Sequence, residues 1–300
     1  MSTARAPQSQ WFLSLLRCPD CAQPLSHGEQ QARCDACGFD SLSARDLRSQ
    51  RPRDTLLRFS RGPAISPEEV LRAITLSPPD ITFIGPQAGR DSRELMSEIA
   101  NRLLAGGDVL DLGCGQRDQA APLEQLGFRY VGLDYDTSEA DLLADAHSIP
   151  FADASFDCIL SYAVLEHLHN PFIALQEAAR VLRPGGWLVG TVSQGEPFHS
   201  SYFHHTPWAL VSLLKQTPDL ELQRLWPSSD TLGALARMGR YPRVLKLLLR
   251  CIDNLNRRLP WLAPRKMQWP PVEKQLDRLY RAGSICFAIQ KSPVTGKGGA

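Results

Sequence analysis

Asp111, Gly113 and Gly115 close the run Asp-Val-Leu-Asp-Leu-Gly-Cys-Gly that begins at Asp108, and Asp134 closes a second apolar run some twenty residues on. Residues of these types at this spacing can hold a small charged ligand at the carboxyl ends of two neighbouring strands. The glycines let the backbone turn tightly and approach the ligand. They are followed by Gln116, Arg117 and Asp118, so the third glycine of a dinucleotide fingerprint is missing. Asp111 also disfavours a diphosphate, because its carboxylate repels anions and attracts a cation. S-adenosylmethionine, with a sulfonium, an ammonium and no phosphate, suits such a loop. An acid at Asp134 can accept hydrogen bonds from both hydroxyls of a ribose.

A second constellation lies near the start of the chain. Cys18-x-x-Cys21 and Cys34-x-x-Cys37 are separated by twelve residues. Each pair can present two sulfurs from one tight turn, which suits tetrahedral thiolate coordination of Zn2+. Four thiolates leave no open position, so the ion is expected to be structural. Residues 11–47 then form a zinc ribbon too small to hold together without its metal. Cys114, Cys158, Cys251 and Cys286 are scattered and read as small core residues. Reduced thiols agree with a cytoplasmic setting.

The elements that must position these groups follow from the hydrophobic periodicity. Strands are expected at 108–112, 129–133, about 141–144, 156–161 and 187–193, with helices at 118–126 and 171–182 between them. Such alternation implies a parallel sheet with helices on both faces. An amphipathic helix, Asp91 to Leu104, precedes the first strand and is closed by Gly106 and Gly107. Beyond the fifth strand, Pro207 to Lys215 reads as a helix, and Leu220 to Leu225 and Ser284 to Ile289 as strands. Residues 48–90, rich in Arg, Pro and Ser, are a linker with a short helix at 67–74, started by Ser66 and Pro67.

From Asp108 to Gly186 the chain resembles the class I S-adenosylmethionine-dependent methyltransferases. Asp145-Ala146 matches the family's adenine-binding acidic turn, and Phe156 to Ser161 its fourth strand. Val164-Leu165-Glu166-His167 opens the next helix, and Ala179 to Gly186 is the turn into the fifth strand. The resemblance implies an α/β, Rossmann-like fold over residues 91–293, with a seven-stranded sheet whose last strand is antiparallel. It also implies S-adenosylmethionine held by Asp111, Gly113, Cys114, Gly115, Asp134, Tyr135, Asp145, Ala146 and Ser161. The ribbon is similar to the amino-terminal zinc module of ribosomal RNA guanine methyltransferases and to small zinc-ribbon activators of tRNA and protein methyltransferases. Either likeness points to recognition of a substrate or partner.

Methyl transfer from a sulfonium is a displacement that gains mainly from alignment and exclusion of water, so no enzyme nucleophile is expected. A hydroxyl acceptor benefits from a general base, and histidine suits that role near neutral pH. Six of the seven histidines fall between His147 and His205. His199, His204 and His205 follow the fifth strand, where acceptor-binding loops lie, with Tyr202, Phe203 and Trp208 able to stack. His167 is a further candidate, or a helix-start residue packed on the sheet. Ser161-Tyr162-Ala163-Val164 stands where methyltransferases of exocyclic base amines carry Asn-Pro-Pro-Tyr. That favours a small-molecule, lipid-linked or glycan acceptor.

A formal net charge of +1 gives no global pull toward nucleic acid, and no apolar run approaches a bilayer span. The excess is local. Within an insertion at about 231–280, the stretch 236–266 carries nine bases and one acid, Asp253, interleaved with leucines. A basic amphipathic helix of this kind can lie on an anionic membrane surface, hold phosphates, or be a solvated lid. Two rival readings therefore stand beside the first: an rRNA or tRNA methyltransferase guided by the ribbon, and a non-catalytic adaptor that keeps the cofactor fold.

Overall fold

The computed structural model describes residues 11–28, 31–41, 58–59, 106–196, 201–238, 241–258, 279 and 281–293. The helices expected at 67–74 and 91–104, and His199, lie outside them. A 3-10 turn, Trp11–Leu15, leads into the antiparallel pair Ser26–His27 (β1) and Ala32–Arg33 (β2). The elements that follow are Arg58–Phe59 (β3), Asp108–Leu112 (β4), Ala120–Gln125 (α1), Arg129–Asp134 (β5), Leu142–Ala144 (β6) and Phe156–Tyr162 (β7). After them come Pro171–Val181 (α2), Leu182–Ser193 (β8), Pro207–Lys215 (α3), Leu220–Asp230 (β9), Thr231–Met238 (α4), Arg243–Arg258 (α5) and Ala282–Lys291 (β10).

One sheet runs in the order β3-β6-β5-β4-β7-β8-β10-β9. Strands β3 to β8 are parallel, and β10 runs antiparallel to both β8 and β9. The seven expected strands are all present. An eighth, β3, comes from the stretch expected to be only a linker, where Arg58 and Phe59 pair with Leu143 and Ala144 at the sheet edge. Strand β8 begins at Leu182, earlier than the expected 187, because Leu182 already pairs with Phe156 ahead of an irregularity in register.

Strand residues alternate between two apolar layers, as the period of two requires. Leu110, Ile159 and Phe287 face the larger layer, while Val109, Cys158 and Cys286 face the smaller one. Cys251 departs from the expected core role and is exposed on α5. Helix α3 starts where Thr206 Oγ1 accepts from the Ala209 amide at 3.2 Å, with Pro207 in its first turn. Helix α2 ends where Lys291 Nζ donates to the carbonyls of Ala179 and Leu182 at 2.7 and 2.8 Å.

The amino-terminal segment is not a separate bead. Phe12, Leu16, Leu25 and Ala32 belong to the same apolar layer as Phe151, Phe156 and Leu182. The Arg17 amide donates to the Pro150 carbonyl at 3.0 Å, and the Ala152 amide to the Leu15 carbonyl at 2.7 Å. Trp11 meets Phe156 edge-on at 6.3 Å, and the Arg129 guanidinium lies 4.5 Å over the Trp11 ring.

Candidate active site

The loop after β4 is shaped by its two glycines. Gly113 has φ of +74°, and a Cβ there would stand 2.5 Å from Val164 Cγ2, so both backbone and space require glycine. Gly115, at φ of +50°, faces open space. The Gly113 and Cys114 amides both donate to the Leu133 carbonyl, at 2.8 and 3.1 Å, and the Gly115 amide donates to Asp134 Oδ2 at 3.0 Å. Three successive amides are therefore taken up by β5. A diphosphate needs such amides aimed at its oxygens.

Asp134 Oδ1 accepts from the Asp136 amide at 3.0 Å. A carboxylate offers about four lone-pair directions, so this half-buried group retains capacity for two ligand hydroxyls. Tyr135, also half-buried, follows it. Asp111 lies deeper, beneath the loop. Its Oδ2 accepts from the Tyr130 hydroxyl at 2.7 Å, and burial pushes its pKa up to about 7 against the opposing pull of that hydrogen bond. A cation above the loop would favour its ionised form.

Asp145 and Ala146, the acidic turn after β6, are both buried. His147 Nε2 accepts from the Asn170 amide at 3.2 Å, which leaves the ring proton on Nδ1 to donate to Asp145 Oδ1 at 2.6 Å. The His147 amide reaches the same oxygen at 2.9 Å. Burial works to raise the Asp145 pKa, but these bonds hold it below the ordinary carboxylate value. The His169 ring packs on His147 with centroids 4.1 Å apart. His147 thus orients the acidic turn, a role that sequence reasoning did not assign.

Ser161 ends the buried part of β7, and its Oγ has no hydrogen-bond partner among the described residues. Beyond it, Glu166 is fully buried in the 3-10 turn Leu165–His167, and its Oε1 accepts from the Ser193 amide at 3.1 Å. The Glu166 carbonyl accepts from the Tyr202 and Phe203 amides at 2.8 and 3.2 Å, which fixes these two exposed aromatics over the carboxyl edge of the sheet. The four candidate histidines part company here. His204 is exposed and His167 half-buried. His205 is buried, its amide donates to the Ser193 carbonyl at 2.7 Å, and burial lowers its pKa to about 4, with a smaller push from His204. His199 lies outside the described residues.

Sequence reasoning gave Arg117 no role beyond following the two glycines. The chain places it at φ of +61°, with its guanidinium buried in an ion pair with Asp141 and 4.9 Å over the Tyr130 ring. No local pattern links Arg117 to Asp141. Only the sheet brings them together.

The Sγ atoms of Cys18, Cys21, Cys34 and Cys37 all lie within 4.8 Å of one another. Tetrahedral bonds of about 2.3 Å to one zinc ion place sulfurs about 3.8 Å apart, so the cluster fits a metal. The two knuckles repeat each other. The Ala22 amide donates to the Cys18 carbonyl and the Gly38 amide to the Cys34 carbonyl, both at 2.9 Å, and both residues have positive φ, +58° and +78°.

Residues 110–190 match the family model described as a methyltransferase domain. The chain is 32% identical over 191 residues to the "Uncharacterized 37.1 kDa protein in transposon TN4556" of Streptomyces fradiae, a match covering 57% of this chain and 51% of that one. It is 35% identical over 157 residues to a "Probable S-adenosylmethionine-dependent methyltransferase" of Mycolicibacterium smegmatis, covering 45% and 58%. Against the demethylmenaquinone methyltransferase of Renibacterium salmoninarum it is 30% identical over 150 residues, covering 43% and 63%. The chain thus spans about half to two thirds of the length of these relatives. The residues matched by the methyltransferase model, 110–190, are those that carry the glycine loop, Asp111, Asp134, Asp145 and the buried Glu166.

Proposed function

We propose that the protein is an S-adenosylmethionine-dependent methyltransferase of a small or lipid-linked acceptor, with a structural Zn2+ held by Cys18, Cys21, Cys34 and Cys37. The observation that carries this reading is the engagement of the Gly113, Cys114 and Gly115 amides by Leu133 and Asp134. That engagement supports a nucleoside site without a diphosphate nest. When bound, S-adenosylmethionine supplies a methyl group on a sulfonium. Asp134 receives the ribose hydroxyls, the Asp145–Ala146 turn braced by His147 borders the adenine, Ser161 lines the floor, and the buried Asp111 carboxylate favours the cationic end.

Acceptor binding falls to the carboxyl edge beyond β8. Tyr202 and Phe203, pinned by the Glu166 carbonyl, offer stacking surface to a flat or apolar acceptor. The relative named for demethylmenaquinone supports a non-polymeric acceptor. For a hydroxyl acceptor, this reading assigns the proton to His204, exposed between Phe203 and the buried His205.

Calorimetric titration with S-adenosylmethionine and with NAD tests the cofactor. Binding of NAD with equal affinity would sink the reading. Transfer of labelled methyl groups into a cell extract, split into lipid, RNA, protein and small-molecule fractions, tests the acceptor. Label in the RNA fraction would reject a small or lipid-linked acceptor.

A further inference from the structure

Helix α5, Arg243–Arg258, is turned inside out relative to a helix of a globular core. Val244, Leu247, Leu248, Ile252 and Leu255 fall on one stripe at helical spacing. That stripe faces outward: Val244 is 80% exposed, Leu247 63% and Leu255 50%. Lys246 and Leu249, on the opposite side, are the half-buried positions among residues 241–252. Packing alone would have chosen the reverse orientation, because apolar side chains stabilise a fold when they are removed from water. An apolar stripe this continuous has a partner.

The charge pattern selects the partner. Arg243 and Arg250 are exposed beside the stripe, and Asp253 is the single acid between residues 236 and 266. A second copy of the same helix would bring two basic sets together, whereas an anionic bilayer surface neutralises them while its acyl region receives the leucines. The helix that α5 packs on starts at the appropriate edge. Helix α4 starts directly from Asp230, which pairs with Ala282, and the Thr231 amide and hydroxyl both donate to the Arg281 carbonyl, at 2.9 and 3.0 Å. This is the carboxyl edge, where Ser193 receives His205 and where Tyr202 and Phe203 are exposed.

We infer that α5 is an interfacial helix that seats the protein on an anionic lipid surface with the acceptor side of its sheet toward the membrane. The inference deepens the proposed function, and rests on it, only in linking membrane seating to a lipid-borne acceptor. Seating itself requires no activity.

The test is co-sedimentation of the full chain with vesicles of phosphatidylcholine alone, and of phosphatidylcholine and phosphatidylglycerol in equal parts. The chain should sediment with the anionic vesicles and stay in solution with the neutral ones. Neutralising two bases, in Arg243→Gln with Arg250→Gln, should lower partitioning roughly thirtyfold. Leu247→Asp with Leu248→Asp should abolish it while S-adenosylmethionine affinity stays at the parent value, which shows that the fold is intact. Equal sedimentation of parent and Leu247→Asp/Leu248→Asp protein would overturn the inference. So would a parent dimer that those changes dissociate, or binding to RNA with none to vesicles. Vesicle binding without S-adenosylmethionine binding would sink the proposed function and leave the seating in place; the converse would do the opposite.

Discussion

The Arg117 guanidinium and the Asp141 carboxylate form an ion pair in which both side chains are less than one tenth exposed. Asp141 Oδ2 also accepts from the Gly132 amide at 2.8 Å, so the pair ties the glycine loop to the interior of β5 and to the residue that precedes β6. A buried charge that loses its partner is costly, because the remaining ion is neither solvated nor compensated. Arg117→Ala should therefore lower stability by about 3 to 5 kcal/mol in denaturant unfolding. Arg117→Met combined with Asp141→Asn should cost much less, since the amide oxygen can still receive Gly132. Equal losses in the single and double variants would mean that the pair contributes little beyond packing.

In the proposed function Asp134 has a double task, and its variants separate the two. Asp134→Ala strands the Gly115 amide and removes the expected ribose acceptor together. Asp134→Asn can keep the Gly115 bond through its carbonyl oxygen while losing the charge. On charge-assisted bonds of about 1.5 to 3 kcal/mol each, Asp134→Ala should weaken S-adenosylmethionine binding at least tenfold by calorimetry, and Asp134→Asn by less. Unchanged affinity in both would remove Asp134 from the cofactor site.

Burial raises the Asp111 pKa from 3.8 to about 7, and the sign of the consequence is definite. Between these values the folded chain holds a proton that the unfolded chain has released, so this group's contribution to stability falls as pH rises through that window. A bound cation favours the ionised form. Affinity for S-adenosylmethionine should then rise with pH through about 7, with proton release that appears as a buffer-dependent binding enthalpy. Asp111→Asn should flatten both profiles. His205 gives the opposite slope: its pKa is lowered by burial, so its contribution is present above the ordinary histidine value of 6.5 and lost as pH falls toward about 4.

If His204 takes the acceptor proton, His204→Gln should cut the turnover of a hydroxyl acceptor by about a hundredfold or more. Cofactor affinity should not move, because Asp134 and the glycine loop stand on other strands. Unchanged turnover in that variant would transfer the role to another group.

What was legible in the sequence is what depends on neighbours along the chain. Strands β4, β5 and β7 follow from runs of apolar residues, the tight turn from Gly113 and Gly115, and the cysteine pairs from their spacing. What was hidden depends on groups that meet only after the sheet forms. Arg117 finds Asp141 across β5, His147 finds Asn170 across the site, and Glu166 receives Ser193 from β8. The amphipathic pattern of α5 was equally plain, but periodicity gives a helix its faces without saying which one looks outward. His205 shows the same limit from the other side, since residue type made it a candidate base and burial places it under the loop.

The cysteine cluster yields a prediction that the sequence alone would have set differently. A free-standing ribbon could lose its metal without consequence for the main sheet. Here Phe12, Leu16 and Leu25 share an apolar layer with Phe151 and Phe156, and the Leu15–Arg17 backbone pairs with residues 150–152, next to the turn that His147 braces. If the cluster holds the proposed Zn2+, its chelation, or Cys18→Ser with Cys21→Ser, should therefore lower the main unfolding transition and weaken S-adenosylmethionine binding, not merely release a tail. The knuckle symmetry provides a gain-of-stability control. Ala22 occupies at φ of +58° the position that Gly38 fills in the second knuckle, and a non-glycine residue in the left-handed region costs about 1 kcal/mol or more. Ala22→Gly should raise the unfolding midpoint of the whole chain, and raise it more with zinc bound than after chelation. A shift confined to a separate, early transition would instead mark the ribbon as an independent unit.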